Sequence, residues 1–207
     1  LRTGAEVGAA IFFLSALVNM PLANVTAILQ VLPLAVTMGA AIFLKESVGW
    51  RRWLAIGIGF TGVIIIIRPG LDGFSMYSIY ALAAVVCVTF RDLTTSRLSS
   101  NVPSIAVALI TGIAITMFGA AMLPTKTWAP IDSSHWLILI ISSIAIVFGY
   151  LFSVMAMRHG DASFIAPFRY TSMLWAIIIG VLFFNDWPDQ LTLLGTAIIM
   201  GTGFYSF

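Results

Sequence analysis

The stretch LANVTAILQVLPLAVTMGAAIF, residues 22–43, runs for 22 residues without a charge. A helix rises 1.5 Å per residue, so about 20 apolar residues cross the hydrocarbon of a bilayer. Upstream lies Asn19-Met-Pro-Leu22, where Pro21 is placed to open a helix. Downstream lies Lys45-Glu-Ser-Val-Gly-Trp-Arg-Arg52, which carries three positive charges.

The same alternation continues in both directions. It predicts eight helices, at about 4–18, 22–43, 52–67, 75–96, 102–121, 135–157, 162–184 and 190–207. Arg68-Pro-Gly-Leu-Asp-Gly73 stops the third, Arg91-Asp-Leu-Thr-Thr-Ser-Arg97 ends the fourth, and 124–134 is the longest polar connection. His159-Gly160-Asp161 and Asn185-Asp-Trp-Pro-Asp-Gln190 join the last three segments.

Composition supports this reading. Of 207 residues, 60% are hydrophobic and 9% charged, and the mean hydropathy is +1.06. A soluble domain is about half apolar and a quarter charged. Eight spans of roughly 20 residues use about 160 positions and leave about 47 for seven connections, with no room for a soluble domain. The alternating ten-residue segments of a barrel are absent. An all-α integral membrane protein is expected, with the lipid bilayer as its surroundings.

Other classes fall away on the same evidence. The net charge is +2 and the basic residues stand singly, which gives no nucleic-acid surface. Cys87 alone excludes an intrachain disulfide or a cysteine metal site, and His135 and His159 sit at segment ends. Neither a phosphate-cradling glycine-lysine motif nor a serine-histidine-acid arrangement is found, nor a selectivity filter. No enzyme activity, metal or cofactor is expected. Residue 1 is leucine at the edge of an apolar stretch, and residues 201–207 lie inside another. The expectation is a reading frame that has been cut, or a partial gene.

Basic residues orient the bundle. With the first residue cytoplasmic, one side holds Arg2, Lys45, Arg51, Arg52, Arg91, Arg97 and Arg158, and the other only Arg68 and Lys126. This bias predicts that both visible ends face the cytoplasm.

Offset by 140 residues, the chain resembles itself. Phe12, Ala16, Phe43 and Glu46 fall on Phe152, Ala156, Phe183 and Asp186. Each copy reads as helix, tight turn, long helix, acid, and glycine-interrupted helix. The simplest account is a five-helix unit used twice, the second inverted because five is odd, with two helices missing from the first copy. The units are 1–68, the remainder of the first repeat, and 74–207, the complete second.

The chain resembles the EamA-type permeases of the drug/metabolite transporter superfamily. The resemblance is carried by Ala23-Asn-Val-Thr-Ala-Ile-Leu-Gln-Val-Leu-Pro-Leu34, Phe43-Leu-Lys-Glu46 and Gly57 through Gly62-Val-Ile. In the second half it is carried by Ala162-Ser-Phe-Ile-Ala-Pro-Phe-Arg-Tyr-Thr171, Phe184-Asn-Asp-Trp-Pro-Asp189 and Gly195-Thr-Ala-Ile-Ile. It implies ten transmembrane helices in two inverted repeats, eight of them visible here, with both termini cytoplasmic. Asp186 departs from the glutamate usual at that position. The resemblance further implies transport of small molecules, most commonly export of amino acids or amphipathic metabolites across the cytoplasmic (inner) membrane. Some relatives import vitamins such as riboflavin.

Polar residues inside the spans mark the candidate site. Arg169 sits two turns into helix 162–184, where an arginine costs about 2.5–3.5 kcal/mol on insertion scales. It either faces a watery cavity and attracts an anionic part of a substrate, or snorkels, or is locked to a buried acid. Tyr170, Ser172 and Trp175 surround it, and Pro167 opens a backbone carbonyl. In the first copy Thr26, Gln30 and Pro33, spaced four and three, share one side of a helix that also carries Asn24. That stripe either lines a cavity or bonds helix to helix. Tyr150 and Ser153 are further cavity candidates.

Glu6, four residues after Arg2, is read as a local ion pair or a coupling carboxylate, and Arg91 as a headgroup anchor beside Asp92. Glu46 and Asp186 are read as acids fixing hairpins. Gly57, Gly59, Gly62, Gly195, Gly201 and Gly203 permit close helix approach, which the resemblance associates with packing or a homodimer.

The expected function is secondary transport of small metabolites by alternating exposure of a cavity, with the proton as the candidate coupling ion. Export is expected, vitamin import is the alternative, and a non-transporting structural membrane protein is the rival.

Overall fold

The computed structural model describes residues 1–70, 74–98, 102–122, 132–159 and 169–206. Pro167, the turn at Gly160-Asp161, Lys126 and the expected helix start at 162 lie outside the described residues. The helices are α1 (Arg2–Asn19), α2 (Leu22–Leu29), α3 (Leu32–Phe43), α4 (Trp50–Ile67), α5 (Met76–Ser96), α6 (Ser104–Met122), α7 (Trp136–His159), α8 (Thr171–Ile179) and α9 (Gln190–Ser206). A 3-10 turn, Ser133–His135, precedes α7, and a π-helical turn, Gly180–Phe184, follows α8. Counting α2 with α3 as one interrupted span, this is an all-α bundle of eight helical segments. Among the described residues, five are long and apolar enough to cross a membrane.

Two expectations are corrected. The span 22–43 is not one continuous helix. It breaks at Gln30–Val31, because Pro33 has no amide to bond the Leu29 carbonyl and the chain turns ahead of it. In the span expected at 162–184, Arg169 is helical, Tyr170 is a turn and α8 begins at Thr171. The two interruptions, at Gln30 and Tyr170, are 140 residues apart, the offset at which the sequence resembles itself.

The ends of these spans repeat as well. Lys45 and Asn185 are both left-handed, with φ of 55° and 54°. The amide after each reaches back to a carbonyl six residues earlier, Glu46 to Ala40 at 3.3 Å and Asp186 to Gly180 at 2.9 Å. The caps are thus made by backbone amides, while the side chain of Glu46 stays exposed.

Lipid gives helices no hydrophobic reason to associate, so close packing must hold them. α4 and α9 run together along glycines: a Cβ on Gly62 would meet the Gly195 carbonyl oxygen at 2.7 Å, and one on Gly195 would meet that of Gly62 at 2.6 Å. Gly59 takes the Leu34 side chain, whereas Gly57 and Gly201 face open space. α1 lies along α5, and α2 against α8. Val25, Ile28, Val31, Leu34, Met173 and Ile199 form the core where the broken spans meet the α4–α9 pair. α6 and α7 remain exposed along nearly their whole length.

Candidate functional site

The two helix breaks touch. Gln30, buried at the end of α2, donates from Nε2 to Ser172 Oγ at 3.0 Å, and that hydroxyl donates to the Arg169 carbonyl at 2.7 Å. Beside this contact lies a cavity of about 600 Å³ lined by Thr26, Gln30, Arg169, Thr171, Ser172 and Trp175, with Phe13, Leu22, Leu29, Leu32, Ala176 and Ile179 as its apolar walls. It follows α2 back toward Leu22 and α8 forward toward Ile179, away from the end of the bundle that holds Lys45, Arg51 and Arg52.

Of the residues expected at one site, Arg169, Gln30, Thr26 and Trp175 line this cavity. Tyr170 does not. It is 1% exposed, its ring packs on Phe204 at 5.2 Å, and its phenol occupies the notch left by Gly203. The turn before α8 rotates it away from Arg169. Asn24 also points elsewhere: its Oδ1 lies 3.2 Å from the Thr192 hydroxyl, which is 2.5 Å from Asp189 Oδ1. Asp189 pairs with Arg68, so this group ties the ends of α2, α4 and α9 together.

Beneath the cavity is an ion network that sequence reasoning did not assemble. Arg169 Nη2 donates to Asp92 Oδ2 at 3.0 Å. Asp92 Oδ1 accepts from Arg91 Nε at 2.9 Å and lies 2.8 Å from Nη2. Arg91 Nη1 reaches Glu6 Oε1 at 2.9 Å, and Glu6 Oε2 accepts from the Tyr150 hydroxyl at 2.8 Å. Arg2 donates to Tyr150 at 2.6 Å, Thr111 at 2.5 Å and Thr95 at 2.9 Å.

Residues from α1, α5, α6, α7 and the start of α8 are thereby joined. The space inside the network, bounded in part by Asp92, Tyr150 and Ser153, is about 10 Å³, room for about one water. Arg91 is therefore no headgroup anchor, since its side chain is 17% exposed and holds two carboxylates. Glu6 lies 3.9 Å from Arg2 but is held more closely by Arg91. Tyr150 belongs to the network and not to the 600 Å³ cavity; its other side lines an apolar space of about 770 Å³ between α6 and α7. Asp92 was missed because, near the end of α5 and next to Arg91, it reads as part of a pair at the membrane surface. A lone Arg169 and a lone Glu6 inside apolar spans were the available signal, because each demands a partner of opposite charge.

Comparison with known proteins agrees with this architecture. The EamA-like transporter family matches residues 5–68 and 75–205. The chain is 26% identical over 190 residues to an S-adenosylmethionine uptake transporter of Rickettsia conorii, covering 88% of this chain and 62% of the relative. It is 29% identical over 181 residues to a riboflavin transporter of Vibrio cholerae, covering 87% and 61%. It is 24% identical over 193 residues to a pseudopaline exporter of Pseudomonas aeruginosa, covering 89% and 66%. The chain thus spans less than two thirds of the length of these curated relatives.

A crystal structure of a protein 18% identical matches 99% of this chain and 73% of its own, with a TM-score of 0.71, which speaks to the fold alone. Family and relatives are transporters, not catalytic enzymes, and a multi-pass all-α bundle is consistent with an inner-membrane transporter fold. The chain belongs to the EamA-like transporter family.

Proposed function

We propose that the protein is a secondary transporter of small amphipathic metabolites, and that the cavity between the two helix breaks holds the cargo. The observation that carries this reading is the juxtaposition of Gln30 and Ser172 at equivalent breaks, beside Arg169 and Trp175, in one space of about 600 Å³. Broken helices meeting at mid-membrane release polar backbone where a solute needs it and supply the pivot for alternating exposure. The side of Arg2, Lys45, Arg51 and Arg52 is taken as cytoplasmic from its charge. The ion network then seals the cytoplasmic end, and the cavity belongs to the opposite side. Glu6 is the carboxylate proposed for a coupling role.

Export was the direction expected from the sequence. The named cargoes of the S-adenosylmethionine and riboflavin transporters favour uptake of a metabolite with a planar ring as the second reading. Trp175 offers such a ring a face to stack on.

The whole transporter is proposed to have ten helices in two inverted repeats. α1 packs along α5, but its repeat counterpart α7 has no described helix in that role and is exposed. Two further helices, consistent with the greater length of the relatives, would cover α6 and α7.

The test is uptake and efflux of a metabolite panel in proteoliposomes holding the full-length transporter. Arg169→Ala and Gln30→Ala should abolish movement of the cargo at unchanged protein abundance. Parallel loss of protein and transport would favour a structural role, and unimpaired transport in both variants would refute the assigned cavity.

A further inference from the structure

Three guanidinium groups and two carboxylates meet in the network: Arg2, Arg91 and Arg169 with Glu6 and Asp92. Among the described residues this leaves an excess of one positive charge, at side chains between 5% and 26% exposed. An unbalanced charge at low dielectric is costly, so its counter-charge is worth locating. Arg91 is shared by both carboxylates at 2.8–2.9 Å. Arg2 donates to three hydroxyls, lies 3.9 Å from Glu6, its nearest carboxylate among the described residues, and lines the water-sized space. Arg169 spends Nη2 on Asp92 and also lines the large cavity. It is therefore where the surplus charge meets a space large enough for a solute.

We infer that the cavity floor is an anion site for one carboxylate group of the substrate, with Arg169 as the anchor and Asp92 as the residue that positions it and limits its charge. The inference rests on the carrier reading above and names the substrate class: an amphipathic monocarboxylate whose apolar or ring portion lies toward Trp175, Leu22 and Ile179. A carboxylate arriving at Arg169 completes the charge balance of the network. Asp92 keeps a competing carboxylate 3.0 Å from the same guanidinium, which lets the substrate leave. Without Asp92 the floor would carry two surplus charges and hold the anion too well.

The test uses indole-3-acetate and indole-3-acetamide, probes of nearly equal shape that differ in charge, titrated onto the purified full-length transporter by calorimetry. The acid should bind at least tenfold more tightly than the amide. Arg169→Gln should erase that preference while leaving amide binding within twofold, and Arg169→Lys, which keeps the charge, should retain a weakened preference. Asp92→Asn should tighten the acid severalfold without moving the amide, a ratio that a merely structural role would not change.

Equal binding of the two probes, absence of binding by either, a preference that survives Arg169→Gln, or its loss in a folded Arg169→Lys protein would overturn the inference. Transport is measured separately. A protein that moves metabolites but shows no acid preference refutes the anion site alone, whereas an intact preference without transport of any metabolite refutes the carrier reading.

Discussion

Gly62 of α4 and Gly195 of α9 meet backbone to backbone, each placed so that a Cβ on one would fall 2.6–2.7 Å from the carbonyl oxygen of the other. A carbonyl is part of a helix and cannot swing aside as a side chain does. The contact therefore fixes the distance between the two helices, and with it the seat of the broken spans that pack on them.

Gly62→Val should force α4 and α9 apart and lower stability by about 1–3 kcal/mol or more, the range for overpacking a tight core. Gly57→Val on the same helix, where nothing lies within 4 Å, should be nearly neutral. Scanning fluorimetry of both variants in detergent separates a packing contact from a general intolerance of β-branched residues.

The helix end at Asn185 makes a second stability prediction. Its φ of 54° suits asparagine and glycine but strains a β-branched side chain. Asn185→Val should cost about 1–2 kcal/mol, while Asn185→Gly should be tolerated. Melting temperatures of the two variants should fall on opposite sides of a shift of a few degrees.

At the crossing of the breaks, Gln30 and Ser172 should be energetically coupled. A double-mutant cycle with Gln30→Ala and Ser172→Ala should return a coupling near 0.6 kcal/mol and no more than about 1.7, the measured range for hydrogen bonds between membrane helices. A coupling of zero would mean that the contact does not hold the breaks together.

The spans were legible in the sequence because lipid imposes length and apolarity at once, and few segments satisfy both by accident. The repeat was legible because turns and acids recur at a fixed offset even where apolar residues drift. What stayed hidden depended on rotation and on partners. Tyr170 follows Arg169 directly and seemed to share its site, yet the turn ahead of α8 sends it against Gly203. Pro33 announced a missing hydrogen bond, but not that the chain would turn at Gln30–Val31. Arg91 and Asp92 looked like residues at a membrane surface. Only the approach of α1, α7 and residue 169 turns them into an interior network, and that approach joins residues 77 to 148 positions apart in the chain.

Removing one member of that network should cost more than removing a pair. Arg91→Met leaves Glu6 and Asp92 without their shared cation, and breaking a buried ion pair on one side typically costs about 3–5 kcal/mol. Adding Glu6→Gln to Arg91→Met removes one orphaned charge and should recover part of the loss. Thermal unfolding of the single and double variants measures the recovery, and a double variant less stable than Arg91→Met would contradict the pairing.

Accessibility provides the most direct check on the placement of the cavity. Cys87, half-buried with its Sγ 3.2 Å from the position of a Cβ on Gly8, can first be replaced by serine to give a thiol-free background. Single cysteines at Thr26 and Trp175 line the 600 Å³ space and should react with a membrane-impermeant maleimide. Cysteine at Met173 is 2% exposed and directed into the core, so it should not react. The network leaves room for about one water below the cavity, so the reagent should reach Thr26→Cys only from the side opposite Lys45, Arg51 and Arg52. Asp92→Asn and Glu6→Gln together weaken the seal and should increase labelling from the basic side. Labelling of Thr26→Cys from the basic side in the unaltered network would show that Asp92 and Arg169 do not close it.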